Sequence, residues 1–136
     1  MRISLTRLSL HALVLLAGLA VMLAVFSPPA GAASSQVVAA QSAARSLVSQ
    51  HHWSARQYRC LVRLWNRESG WRVHAVNPSS GAYGIPQAVP GSKMASAGPN
   101  WRTSARTQIR WGLSYIRSRY GTPCGAWAHS NAYGWY

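Results

Sequence analysis

Glu68 is the only acidic side chain in the sequence, set against 14 Lys and Arg. A domain of ordinary composition, in which roughly a quarter of residues are charged, would carry about a dozen Asp and Glu. The usual structural role for such a residue, a helix ion pair, does not fit its surroundings. Position i−4 is Leu64, Arg72 at i+4 lies beyond Gly70, and the adjacent Arg67 points from a different face. Glu68 also falls where a helix is expected to end, and the dipole there disfavours negative charge. That position, together with Trp65 and Trp71 nearby, favours the neutral carboxylic acid and raises its pKa. A carboxyl group held neutral near physiological pH is suited to general acid catalysis.

Competing chemistries lack their parts. His51 and His52 are adjacent and do not converge as metal ligands on a helix would, and two cysteines without further ligands make no zinc site. No metal and no cofactor is expected. A Ser/His/Asp triad lacks its carboxylate, although Ser–His alone stays open, and no GxxxxGK[ST] phosphate loop is present. A lone acid beside aromatic residues suits cleavage of a glycosidic bond. Most glycosidases use two carboxylates. One suffices where the substrate is a 2-acetamido sugar that stabilises its own anomeric carbon. The sugar's 6-hydroxyl can then attack that carbon with the same Glu as base, leaving a 1,6-anhydro product and consuming no water.

The elements that must position Glu68 are mostly helical. Ser54 to Glu68 reads as a helix, with Ser54 and Gln57 as a capping box. Its apolar face is Tyr58, Leu61, Val62 and Trp65, and Gly70 is its stop. Residues 77–98 are rich in Pro, Gly, Ser and Ala, with a very short strand expected at Tyr83 to Ile85. Thr103 to Tyr120 forms a second helix, with Ile109, Leu113, Ile116 and Tyr120 inward and Gly121-Thr122-Pro123 as its stop. The tail from Cys124 carries Trp127, Tyr133, Trp135 and Tyr136, too aromatic for a disordered segment. Residues 34–53 read as a linker or an N-terminal helix with a thin apolar face of Val37, Ala40, Ala44, Leu47 and Val48.

Residues 1–33 read as a cleaved signal peptide. Arg2 and Arg7 precede an apolar run from Ala12 to Phe26, and Ala30-Gly31-Ala32 supplies the small residues of a cleavage site. The alternative is an uncleaved anchor, for which the run is short against the ~20 residues of a span. Export fits Cys60 and Cys124, which have one possible pairing. The alternative is a pair of free buried thiols. A bridge would close a long loop and contribute about 4 kcal/mol. The formal charge of +13 attracts polyanions. For an exported protein these are cell-wall polymers or an anionic membrane rather than nucleic acid.

These motifs together resemble the catalytic domain of soluble lytic transglycosylases, with a goose-type lysozyme-like fold. The likeness rests on Glu68-Ser69-Gly70-Trp71 with Ala75. It continues with Gly81-Ala82-Tyr83-Gly84-Ile85-Pro86-Gln87 followed by Pro90-Gly91-Ser92, and with Gln108-Ile109, Gly112, Tyr115 and Ile116. It runs from about Ser54 to Ser130, with Ile-Pro where the family has Leu-Met and one extra residue after the Glu. Where the family has Ala-Tyr-Asn-x-Gly, this chain has Ala126-Trp127-Ala128-His129-Ser130.

The resemblance implies a mainly α, lysozyme-like domain over residues 54–136 with minimal β structure, stapled by one disulfide. Glu68 would be catalytic, and Tyr83, Gln87, Trp127 and His129 would bind substrate. The expected partners are peptidoglycan glycan strands and anionic wall polymers. The expected product is a 1,6-anhydro-muropeptide, made by a secreted, wall-associated monomer with no stable membrane insertion once the leader is removed. Hydrolytic muramidase action is the lesser enzymatic outcome. The rival readings are a non-catalytic cationic wall-binding protein of the same fold and a membrane-active or nucleic-acid-binding cation.

Overall fold

A computed structural model describes residues 30–136; apart from residues 30–33, the expected signal peptide lies outside the described residues. Helix α1 (Ala30–Gln50) is followed by α2 (Ala55–Glu68), a 3-10 helix (Gly91–Ala97), α3 (Ala105–Tyr120) and α4 (Pro123–Tyr133). Strand structure among the described residues amounts to two isolated antiparallel bridges, Val76 with Tyr83 and Tyr83 with Ala88. The domain is therefore mainly helical, and the short strand expected at Tyr83 is reduced to these bridges. No helix among the described residues is long and apolar enough to cross a membrane.

The core forms where three apolar stripes meet. Helix α1 contributes Ala40, Ala44, Leu47 and Val48, α2 contributes Leu61, Leu64 and Trp65, and α3 contributes Ile109, Leu113 and Ile116. Burying each larger side chain stabilises the fold by roughly 1.5–3 kcal/mol relative to exposure. The segment read as linker or helix is thus a packing helix, lying against α2 and α3 and already helical at Ala30, the first described residue. The Trp65 ring of α2 reaches across to Gly112 of α3, where a Cβ would come within 2.6 Å of it.

The helix boundaries follow local chemistry with one exception. Ser104 caps α3 by accepting from the Thr107 amide, Gly121 ends that helix at φ 74°, and Thr122 caps α4 by accepting from the Gly125 amide. The expected capping box of α2 does not form. Ser54 is the N-cap residue but its side chain accepts no bond from the helix, and Gln57 Oε1 accepts the Cys124 amide at 2.8 Å instead. The reason is tertiary: the first turn of α4 has unpaired amides of its own, and Gln57 satisfies one of them. Beside that contact Cys60 and Cys124 form a disulfide across 64 residues, fastening α2 to α4.

Candidate active site

Glu68 is the last residue of α2, and the chain reverses directly after it. Ser69 is the C-cap, and Gly70 and Trp71 adopt positive φ of 59° and 63°. A tryptophan in the left-handed region is strained. It is held there by burial and by its amide donating to Ser69 Oγ at 3.1 Å. Ser69 in turn donates its hydroxyl proton to the Ile85 carbonyl at 2.8 Å. One buried serine thus joins the end of α2 to the loop that carries Gln87.

That loop is clamped from below by Gln108 of α3, whose side chain is fully buried. Its Oε1 accepts the Ile85 amide at 2.9 Å. Its Nε2 donates to the Val73 carbonyl at 3.0 Å and the Trp101 carbonyl at 2.8 Å. Gly84 makes the approach possible, since a Cβ there would sit 2.5 Å from Gln108 Oε1. Gln87 then turns at φ 52°, and its Nε2 donates to the Gly84 and Ala75 carbonyls.

Glu68 is partly buried, and burial pushes its carboxyl above the usual carboxylate range, opposed by the neighbouring Arg67 charge. Beside it lies Tyr136. The Tyr136 hydroxyl accepts from Trp65 Nε1 at 2.8 Å and donates to the Pro86 carbonyl at 2.9 Å. Burial of this phenol, together with the Glu68 charge, pushes its pKa well above the ordinary range. Tyr136 therefore links the end of α2 to the Pro86–Gln87 turn. It also lines, with Gln87, Lys93, Trp111 and Tyr115, a cleft of about 120 Å³.

Gln87 lines this cleft and Glu68 adjoins it through Tyr136, without lining it; the other expected contacts lie elsewhere. Tyr83 is engaged in packing: its hydroxyl donates to the Arg102 carbonyl at 2.9 Å and meets His74 Nδ1 at 3.1 Å, and its ring stands edge-on to Trp101. Trp127 lies under the Arg67 guanidinium at 5.9 Å, on the α2–α4 side. His129 packs against the rings of Tyr120, Tyr133 and Trp135, and its Nδ1–H donates to the Trp135 carbonyl at 2.9 Å. No three metal-ligating side chains gather among the described residues.

Sequence reasoning passed over Ser69, Gln108 and the phenol of Tyr136 as members of this site. The first two stand inside the motifs quoted above, and their buried amide and hydroxyl bonds are the reason for their type. Tyr136 sits in a tail with no periodicity to place it.

With this geometry in hand, comparison with known proteins adds no relative: no family model, no curated protein and no solved structure matches the chain. The chemistry of the site stands on its own residues. A half-buried carboxyl whose pKa is raised keeps its proton to a higher pH than a free glutamate, can donate it, and once ionised can take one back. No second side-chain carboxylate exists in the chain to share the work.

Proposed function

We propose that this protein is an exported peptidoglycan lytic transglycosylase with a lysozyme-like fold, acting through Glu68 alone. The observation that carries the reading is that the only side-chain carboxyl of the chain is half-buried, raised in pKa, and held by Ser69 against the Gln87 loop. In the proposed reaction Glu68 gives its proton to the glycosidic oxygen between N-acetylmuramic acid and N-acetylglucosamine. The β-1,4 bond breaks as the 2-acetamido carbonyl oxygen bonds to the anomeric carbon. The Glu68 carboxylate then removes the proton of the 6-hydroxyl, whose oxygen displaces the acetamido oxygen. Glu68 regains its proton, and the sugar leaves as a 1,6-anhydro ring without water.

Mass spectrometry of purified peptidoglycan after incubation tests this. The expected result is anhydro-muropeptides from the wild type and none from Glu68→Gln. Products carrying one added water with a free reducing end would make the enzyme a hydrolase. One observation favours the non-catalytic wall-binding alternative: the Gln87 amide nitrogen is already bonded to the Gly84 and Ala75 carbonyls. That reading predicts that wild type and Glu68→Gln bind wall equally and that neither releases product.

A further inference from the structure

The cationic residues of α2 are not scattered. Arg56, Arg59, Arg63 and Arg67 are all exposed and recur at spacings of three, four and four, which places them in one stripe along the helix. With a rise of 1.5 Å per residue they are about 5–6 Å apart and span about 16 Å. The stripe forms one wall of an open groove of about 450 Å³, lined by Arg56, Arg59 and Arg63 with Trp127 and Asn131 of α4 opposite. Arg67 closes one end, its Nη1 donating to the Ser130 carbonyl and to Asn131 Oδ1, each at 3.2 Å. Its guanidinium lies over Trp127. The Cys60–Cys124 bridge lies within this groove and fixes its two walls relative to each other.

The chain cannot neutralise this stripe itself. Its one acidic side chain, Glu68, lies beside Arg67 at the far end, so Arg56, Arg59 and Arg63 have no acidic side chain to pair with. A row of unpaired guanidiniums at regular spacing on a rigid wall matches a linear anion whose charges also repeat. Guanidinium forks bind phosphate in bidentate fashion, and the spacing approximates that between phosphates in an extended phosphodiester chain. On the opposite wall Asn131, whose Oδ1 accepts from Arg67, keeps its amide N–H groups for the polyol or sugar units between phosphates.

We propose that the α2–α4 groove is a docking site for a polyol-phosphate polymer of the cell wall, separate from the cleft lined by Gln87 and Tyr136. The choice of a wall polymer over other phosphodiesters rests on the export reading; the groove itself does not depend on catalysis. It would hold the protein on wall material while Glu68 works on the glycan.

The test uses the Glu68→Gln protein, so that turnover plays no part, and measures binding to purified wall before and after acid extraction of its phosphodiester polymers, and to a synthetic glycerol-phosphate oligomer. Arg56→Gln, Arg59→Gln and Arg63→Gln are combined. A control of equal charge combines Arg102→Gln, Arg106→Gln and Arg117→Gln, and thermal melts confirm that both are folded. The groove variant is expected to lose about tenfold or more in affinity for the oligomer at low salt, with its slope of log affinity against log salt reduced by about 2. The control should lose no more than a few-fold. Extracted wall should bind the parent as weakly as untreated wall binds the groove variant. Equal losses in the two variants, or undiminished binding to extracted wall, would overturn the proposal. So would a single-stranded DNA oligomer competing as well as the glycerol-phosphate oligomer at equal phosphate concentration, which would mark a generic polyanion surface. None of these outcomes depends on whether anhydro products form.

Discussion

At the scale of the residue, the Glu68 carboxyl sits at the end of a helix and has lost part of its water. Both conditions penalise the anion, and at Glu68 burial outweighs the Arg67 charge that opposes it. The folded-state pKa is therefore above that of the unfolded chain. At a pH below the unfolded value the carboxyl is neutral in both states and no penalty exists. As pH rises through the folded value, the fold must ionise a disfavoured site and stability is lost. Thermal melts of wild type and Glu68→Gln across this range are expected to coincide in acid and separate at neutral pH. There the variant should be more stable by about 0.3–1 kcal/mol, the usual size of a misplaced charge at a helix terminus. A variant less stable than wild type at neutral pH would mean that the carboxylate is satisfied in the fold. Stability gained on removing a side chain is the expected mark of a residue kept for chemistry.

At the scale of the element, what matters is how the α2 terminus, the 83–88 loop and α3 are held in register. Gln108 does most of this, because one buried amide binds three backbone groups from three segments. Replacing it with Leu leaves the Ile85 amide and two carbonyls without partners inside the protein. The expected cost is about 2–4 kcal/mol in denaturant unfolding. Any cleavage activity should fall further than that of a surface variant of equal stability, since the loop bonded to Ser69 beside Glu68 would loosen. Loss of stability under 1 kcal/mol would show that the loop holds itself. The helix ends themselves were readable in advance: Gly70 after α2 and Gly121-Thr122-Pro123 after α3 carry their own conformational instructions. The capping box at Ser54 was misread because local spacing says nothing of the α4 amide that competes for Gln57. Gln108 was visible only as part of a motif, since a glutamine on a helix is polar by type and its burial depends on segments far away in the chain. The same limit applies to Tyr136, whose bonds to Trp65 and Pro86 join residues 71 and 50 positions away.

At the scale of the whole molecule, two fields compete at one atom group. A formal charge of +13 favours ionisation of any carboxyl on the surface, while partial burial between the helix end and the Tyr136 ring opposes it. Local desolvation prevails because solvent screens the arginines, which are mostly exposed, within about 10 Å at 0.1 M salt. The disulfide and the three-helix core keep that enclosure in place. Composition made Glu68 conspicuous, but only the packed arrangement shows which of the two fields governs it. Because the chain has a single glutamate, a protein labelled with carbon-13 at the glutamate carboxyl presents one side-chain resonance to follow through a pH titration. The midpoint is expected clearly above the ordinary glutamate value of about 4.3, and higher still as added salt screens the arginines. A midpoint at or below that value would mean that the cationic surface controls the group, and Glu68 would then lack the proton that the proposed reaction requires of it.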